Sequence, residues 1–263
     1  MPAYLALVRA GFGRYSRYRR ATYASAFTNT VFGFLNCYLF LAVLGARTTV
    51  VGYDAAGLTT FVWVGQGLLG VVQLFTWTDV ADRIRTGDIV SDLLRPVDPL
   101  WAFLAIDLGR AGHALLIRLT VPVAVGAVVF RLRWPATPAS WALTGLSVAL
   151  AVVVSFALRY ACNLLAFWWL DARGPNSIWL LGTALFGGLF VPVPFYPGWL
   201  QVVAWLTPFP WMFQAPLDVL LERGGPAHQL ALVGGQVVVA AAGLALAYGV
   251  QRRALRTLEV QGG

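Results

Sequence analysis

Four stretches of this chain, 21–44, 55–77, 174–217 and 227–250, carry no charged residue at all; arginine-bearing segments stand between them, and the longest, 78–173, holds two further apolar runs. A helix crossing lipid hydrocarbon needs about 20 mainly apolar residues. Inside a bilayer the backbone must satisfy its own hydrogen bonds, which leaves helices or closed barrels. Hydrophobic residues make up 59% of the 263 positions and charged ones 11%, against roughly a quarter charged in a soluble domain. That excludes a water-soluble globule and a disordered chain. The 11 Trp, 16 Phe and 9 Tyr suit a protein with many membrane–water interfaces. The expected fold is all-α and polytopic, with residues 1–263 as a single transmembrane domain.

The runs predict six transmembrane helices: Ala21–Leu44, Ala55–Trp77, a third after Pro99 and ending at Phe130, Trp141–Leu170, a fifth opening at Ile178, and Ala227–Val250. Pro192, Pro194 and Pro197 break the fifth. Gly198–Thr207 is closed by Pro208 and Pro210, and its roughly ten residues rise only about 15 Å. It is expected as a short re-entrant helix before the last span. Tyr4–Tyr18 mixes Leu5, Val8 and Phe12 with arginines, as an interfacial N-terminal helix does. No cleavable signal peptide is visible in the first 20 residues.

All 19 basic residues are arginine. With both termini in the cytoplasm, inner segments hold 12 of them and outer segments 4. That bias supports this orientation in a bacterial cytoplasmic membrane. Short clusters between apolar runs are topological rather than a nucleic-acid-binding face. Cys37 and Cys162 lie within apolar runs and are expected to pack rather than pair. No metal site is expected, since the two histidines, His113 and His228, fall on opposite sides.

The segment between spans two and three holds the densest charge. Thr78 can cap a short helix whose Asp79 and Arg83 are spaced i, i+4. Gly87 breaks it, a second turn carries Leu93 and Leu94, and Pro96 stops that turn. Such an elbow could pass force at the cytoplasmic mouth, or lie on the lipid surface as an amphipathic helix.

Ile84-Arg85-Thr86-Gly87-Asp88, then Leu93-Leu94-Arg95-Pro96 and Pro99-Leu100, after the second of six spans, resembles the permease subunits of type-2 exporter-like ABC transporters. The order of features agrees along nearly the whole chain. The resemblance implies that Arg85, Gly87, Asp88, Leu93, Leu94, Arg95 and Pro96 couple to a separate ATPase subunit. It also implies two facing permeases, as a homodimer or with a related chain, and a re-entrant extracellular element after span five. A P-loop needs a lysine, and the chain has none. ATP hydrolysis is therefore expected in a partner, and the chain itself is not expected to be an enzyme or to hold a cofactor.

Polar residues inside the spans are the remaining candidates. Counting back about 20 residues from Phe130 places Arg118 roughly 10 Å deep, where a charge by default suggests function, unless it snorkels. Arg159 and Asn163 share one face of span four, and Gln66 and Gln73 on span two could be hydrogen-bond partners for these groups. Pro192, Pro194, Phe195, Tyr196, Pro197 and Trp199 form a candidate outer gate or a rigid plug. A pathway lined by Phe, Trp and Leu suggests a hydrophobic or amphipathic cargo. An ion-gradient-driven transporter or channel would instead show inverted repeats and mid-membrane acids, and a membrane enzyme a cluster of His, Asp or Glu.

Overall fold

A computed structural model describes residues 2–16, 19–75, 77–169 and 173–256, with side chains left aside at 2, 19–22 and 173. Arg17, Tyr18 and Leu170 from the expected elements lie outside the described residues. Every regular element described is helical, and Val50 and Tyr53 form an isolated bridge. Five helical stretches are long and apolar enough to cross a membrane: Tyr23–Leu44, Ala55–Gln73, Pro99–Val129, Pro138–Trp169 and Gly225–Arg256.

Helix α1 (Pro2–Ser16) packs lengthwise on α6 (Pro99–Ala114). Glycine permits this contact: a Cβ on Gly109 would overlap the Val8 carbonyl, and one on Gly11 the Ile106 carbonyl. Helix α2 (Arg19–Leu44) leads through a tight turn to α3 (Ala55–Leu68), where Asp54 caps the new helix by accepting from the Gly57 N–H at 2.8 Å. The Ala55–Gln73 span is the central one. Most of its apolar surface lies inside the bundle, and Trp63 is fully buried.

This central span ends in a π-helical turn, Leu69–Gln73, and a second such turn, Leu115–Leu119, joins α6 to α7 (Thr120–Val129). A π turn inserts an extra residue and bends the axis, and such turns recur at functional sites. Here the two meet: a Cβ on Gly67 would lie 2.8 Å from the Leu119 Cα, and one on Gly70 would lie 2.6 Å from the Arg118 Cδ.

Between these spans, α4 (Asp79–Thr86) and α5 (Ile89–Leu93) form the elbow. Helix α8 (Pro138–Leu164) continues through α9 (Ala166–Trp169), and α14 (Gly225–Arg256) packs along α8. Both run the same way. Ser147 Oγ donates to Gln236 Oε1 at 2.7 Å near one end, and Tyr160 Oη donates to Gln251 Oε1 at 2.7 Å near the other.

The expected fifth span is not one continuous rod. Helix α10 (Arg173–Phe186) has 14 residues, rising about 21 Å. A bent segment with a 3-10 turn at Val193–Phe195 follows, then α11 (Gly198–Leu206), α12 (Phe209–Met212) and α13 (Gln214–Leu220). The prolines at 192, 194, 197, 208 and 210 set these cuts, because each removes a donor and fixes φ. The segment joins opposite ends of the bundle. Helix α8 finishes beside the elbow, whereas α14 begins beside the 45–54 and 130–137 turns, where Ala136 N donates to Glu222 Oε1 at 3.1 Å.

Candidate functional site

The elbow takes the form expected at Gly87, which closes α4 in the left-handed region at φ +81°. Its ion pairs differ from the sequence expectation. Arg83 reaches across the bend to Asp92 at 2.6 Å, while Asp79 pairs with Arg14 of α1 at 3.2 Å. Thr78 occupies the cap position, but its hydroxyl bonds the Asp82 carboxylate at 2.9 Å rather than a backbone N–H. Arg85 pairs with Asp82, and Arg95 lies 3.6 Å from Asp92. The crown is open: Leu94 is 82% exposed, Val90, Asp88 and Pro96 are exposed, and Leu93 is half-buried.

The elbow's underside is fixed to the bundle by Asn163. Its Oδ1 accepts from the Ala81 N–H at 3.0 Å, and its Nδ2 donates to the carbonyls of Trp77 at 2.7 Å and Arg159 at 2.8 Å. One amide side chain therefore ties α8 to the start of α4 on both sides. One turn back on α8, the Arg159 guanidinium sits 5.3 Å from the Trp77 ring centroid.

Arg159 also opens the central polar cluster. Its Nη2 donates to Asp107 Oδ2 at 3.0 Å and its Nε to Ser155 Oγ at 3.0 Å. Asp107 accepts in turn from Arg110 Nε at 2.7 Å. Arg110 donates further to the carbonyls of Gly70 at 2.7 Å and Val71 at 2.9 Å, within the π turn that ends the central span. All three charged residues are buried. Such a turn leaves carbonyls without their usual partners, and a planar five-donor guanidinium can cover two at once.

Arg118 stands apart from this cluster, with no ion pair among the described residues. It shares a cavity of about 180 Å³ with Arg110, Gln73, Asn29 and Tyr15. Gln73 holds a left-handed φ of +55°, unusual for a non-glycine residue, and its Oε1 is buried without a partner. Gln66 is buried, and its carbonyl accepts from Asn29 Nδ2 at 3.0 Å. Among the described residues no hydrogen bond joins Gln66 or Gln73 to Arg118 or Arg159. His113 meets the Phe12 ring edge-on at 5.4 Å.

At the far end, Pro192 is buried, Pro194, Phe195 and Tyr196 are half-buried, and Pro197 and Trp199 are exposed. Gln214 Oε1 accepts from the Val193 N–H at 3.0 Å, Gln201 Nε2 donates to the carbonyls of Pro194 and Tyr196, and Tyr196 Oη donates to Leu185 O at 2.9 Å. The Phe195 ring lies against Tyr53 and Phe40 at about 6 Å.

Beneath this lies a network that sequence reasoning missed. Asp218 accepts from Gln214 Nε2 at 2.9 Å, from Tyr53 Oη at 3.2 Å and from Arg223 Nε at 3.1 Å, while Arg223 stacks 3.7 Å over the Tyr53 ring. Burial, with the Asp218 carboxylate second, pushes the Tyr53 phenol well above its ordinary range. The available signal was Asp218 itself, the acid that ends 44 uncharged residues, with Arg223 just beyond it.

A family model described as ABC-2 family transporter protein matches residues 28–262. No curated protein matches the chain.

Proposed function

This chain belongs to the ABC-2 transporter family and is its membrane-embedded permease, and we propose that a separate ATPase drives it by pressing on the elbow of α4 and α5. The carrying observation is the elbow's two-sided character. Its crown offers Leu94, Val90 and Arg95 to solvent, while its underside hangs from Asn163. Exposed apolar residues ringed by charge are what a protein partner covers. The elbow end, with both termini, is cytoplasmic, in keeping with the arginine bias.

The polar contacts supply a route for that push. Asn163 holds the base of the elbow, Arg159 one turn away holds Trp77 and Asp107, and Arg110 carries the contact to the Gly70 and Val71 carbonyls. A shift of the elbow thus bears on the unwound end of the central helix. The route is a physical chain of contacts, and coupling along it is what mutation measures. The segment 173–220 completes a sixth crossing, with its proline-rich part as the outer gate. Two permeases, identical or related, face each other, and the cargo is a hydrophobic or amphipathic molecule moved outward.

The test is Leu94→Glu and Arg95→Glu in the permease co-expressed with its ATPase. Both should insert normally and lower coupled ATP hydrolysis by about tenfold or more, as loss of an interface anchor does. Unchanged coupling in both would refute the docking assignment.

A further inference from the structure

The ionic balance inside the bundle is uneven. Among the described residues Arg110 and Arg159 divide one carboxylate between them, Arg118 has none, and Arg159 Nη1 is buried without a partner. Asp107 is thus the one carboxylate ion-paired to this trio among the described residues, and it serves only two of them. Charge taken out of water is normally paired, and half-buried Arg118 has no carboxylate partner among the described residues.

The surplus has a place to act. The 180 Å³ cavity between the two π turns is walled by Arg118 and Arg110, by Asn29 and Ser25 of α2 and by Gln73, with no carboxylate in its lining among the described residues. The Gln73 amide brings unspent hydrogen-bonding capacity, since its Oε1 is buried and unpartnered. Turned about its last torsion, that amide presents a donor in the same place. Gly70 keeps the cavity in shape, because any side chain there would push on the Arg118 stem.

Depth identifies the occupant. Ser25 and Asn29 stand four and eight residues past Ala21, where the uncharged run on α2 opens after Arg19 and Arg20, about 6 and 12 Å along the helix by its rise. That is the level at which a lipid headgroup gives way to its chains. Phe75, half exposed, stands at the rim. We propose that this cavity binds the anionic headgroup of a membrane amphiphile, a phosphate or a carboxylate, with Arg118 as its principal ion partner. As a statement about cargo this rests on the permease assignment; as a statement about binding it does not.

Binding is therefore what the experiment reads, on the purified permease without any ATPase. Short-chain phosphatidylglycerol should bind roughly tenfold more tightly than phosphatidylcholine, the scale of one charge-assisted contact. Arg118→Gln should abolish that preference, and Arg118→Lys should keep part of it. Ser25→Asp sets a competing carboxylate in the cavity lining and should abolish it too, which keeps the test open if Arg118→Gln folds poorly. Arg9→Gln, on the exposed face of α1, should retain the full preference. Equal binding of the two lipids by the unaltered protein, or an undiminished preference in both cavity variants, would overturn the proposal. Binding of inorganic phosphate alone as tight as that of phosphatidylglycerol would overturn the amphiphile assignment. Failure of ATPase coupling with lipid preference intact would count against the permease mechanism and leave this site standing.

Discussion

Asp107 and Arg159 meet at 3.0 Å across two helices 52 positions apart in sequence, and Asp107 also holds Arg110 at 2.7 Å. One carboxylate thus fastens α6 to α8 and, through Arg110, to the end of the central span. Removing its charge leaves two buried guanidinium groups facing each other. Asp107→Asn should destabilise the protein by about 3–5 kcal/mol, the cost of breaking a buried ion pair from one side. Pairing it with Arg159→Met should recover part of that loss. Thermal unfolding of the single and double variants in one detergent measures both, and a neutral Asp107→Asn would show that the cluster bears no load.

Asn163 anchors the elbow through backbone groups rather than charges, so its removal should act locally. Asn163→Ala leaves the Ala81 N–H and the Trp77 carbonyl without their partner, a loss of about 1–3 kcal/mol for each buried group. Amide hydrogen exchange should rise across 78–95 and stay unchanged in α14. Uniform loss of protection would mean that the amide holds the bundle and not the elbow.

Two glycines on the central span should differ in their tolerance of alanine. At Gly67 the added methyl meets the Leu119 Cα, which is backbone, and at Gly70 it meets the Arg118 Cδ, which can swing aside. Gly67→Ala should cost about 1–3 kcal/mol by overpacking. Gly70→Ala should cost less in stability and more in anionic-lipid preference. Unfolding curves beside lipid-binding curves separate the two.

Tyr53 gives the far end a pH dependence. Burial raises its folded-state pKa above the unfolded value of about 10. The folded protein then holds a proton that the unfolded chain releases. The resulting stability is fully present below pH 10 and falls as pH rises beyond it. Tyr53→Phe should lower stability at neutral pH by about 1 kcal/mol per lost hydrogen bond and flatten the decline above pH 10. An equally steep decline in the variant would place its origin elsewhere.

Much of the architecture was legible in the sequence because hydrocarbon permits so few solutions. Uncharged runs of sufficient length had to be helices, and Gly87 and Pro96 had to interrupt the elbow. The segment 173–220 was harder, since prolines set most of its cuts but the packing of the pieces depends on residues far away, Tyr53 among them. Ion-pair identity was harder still. Asp79 and Arg83 have the spacing of partners, yet each finds a closer one off its own helix, Arg14 and Asp92. The sequence placed Arg159 and Asn163 on one face. It could not show that one serves the core and the other the elbow, because that division depends on where α6 and α4 dock against α8.

The cuts in 173–220 have a mechanical meaning. A continuous rod can be moved only as a whole, whereas a jointed one yields at its joints. If the far end widens, the local ties that would part include Gln214 from Val193, Gln201 from Pro194 and Tyr196, and Tyr196 from Leu185. The five long helices can keep every internal hydrogen bond while it does so.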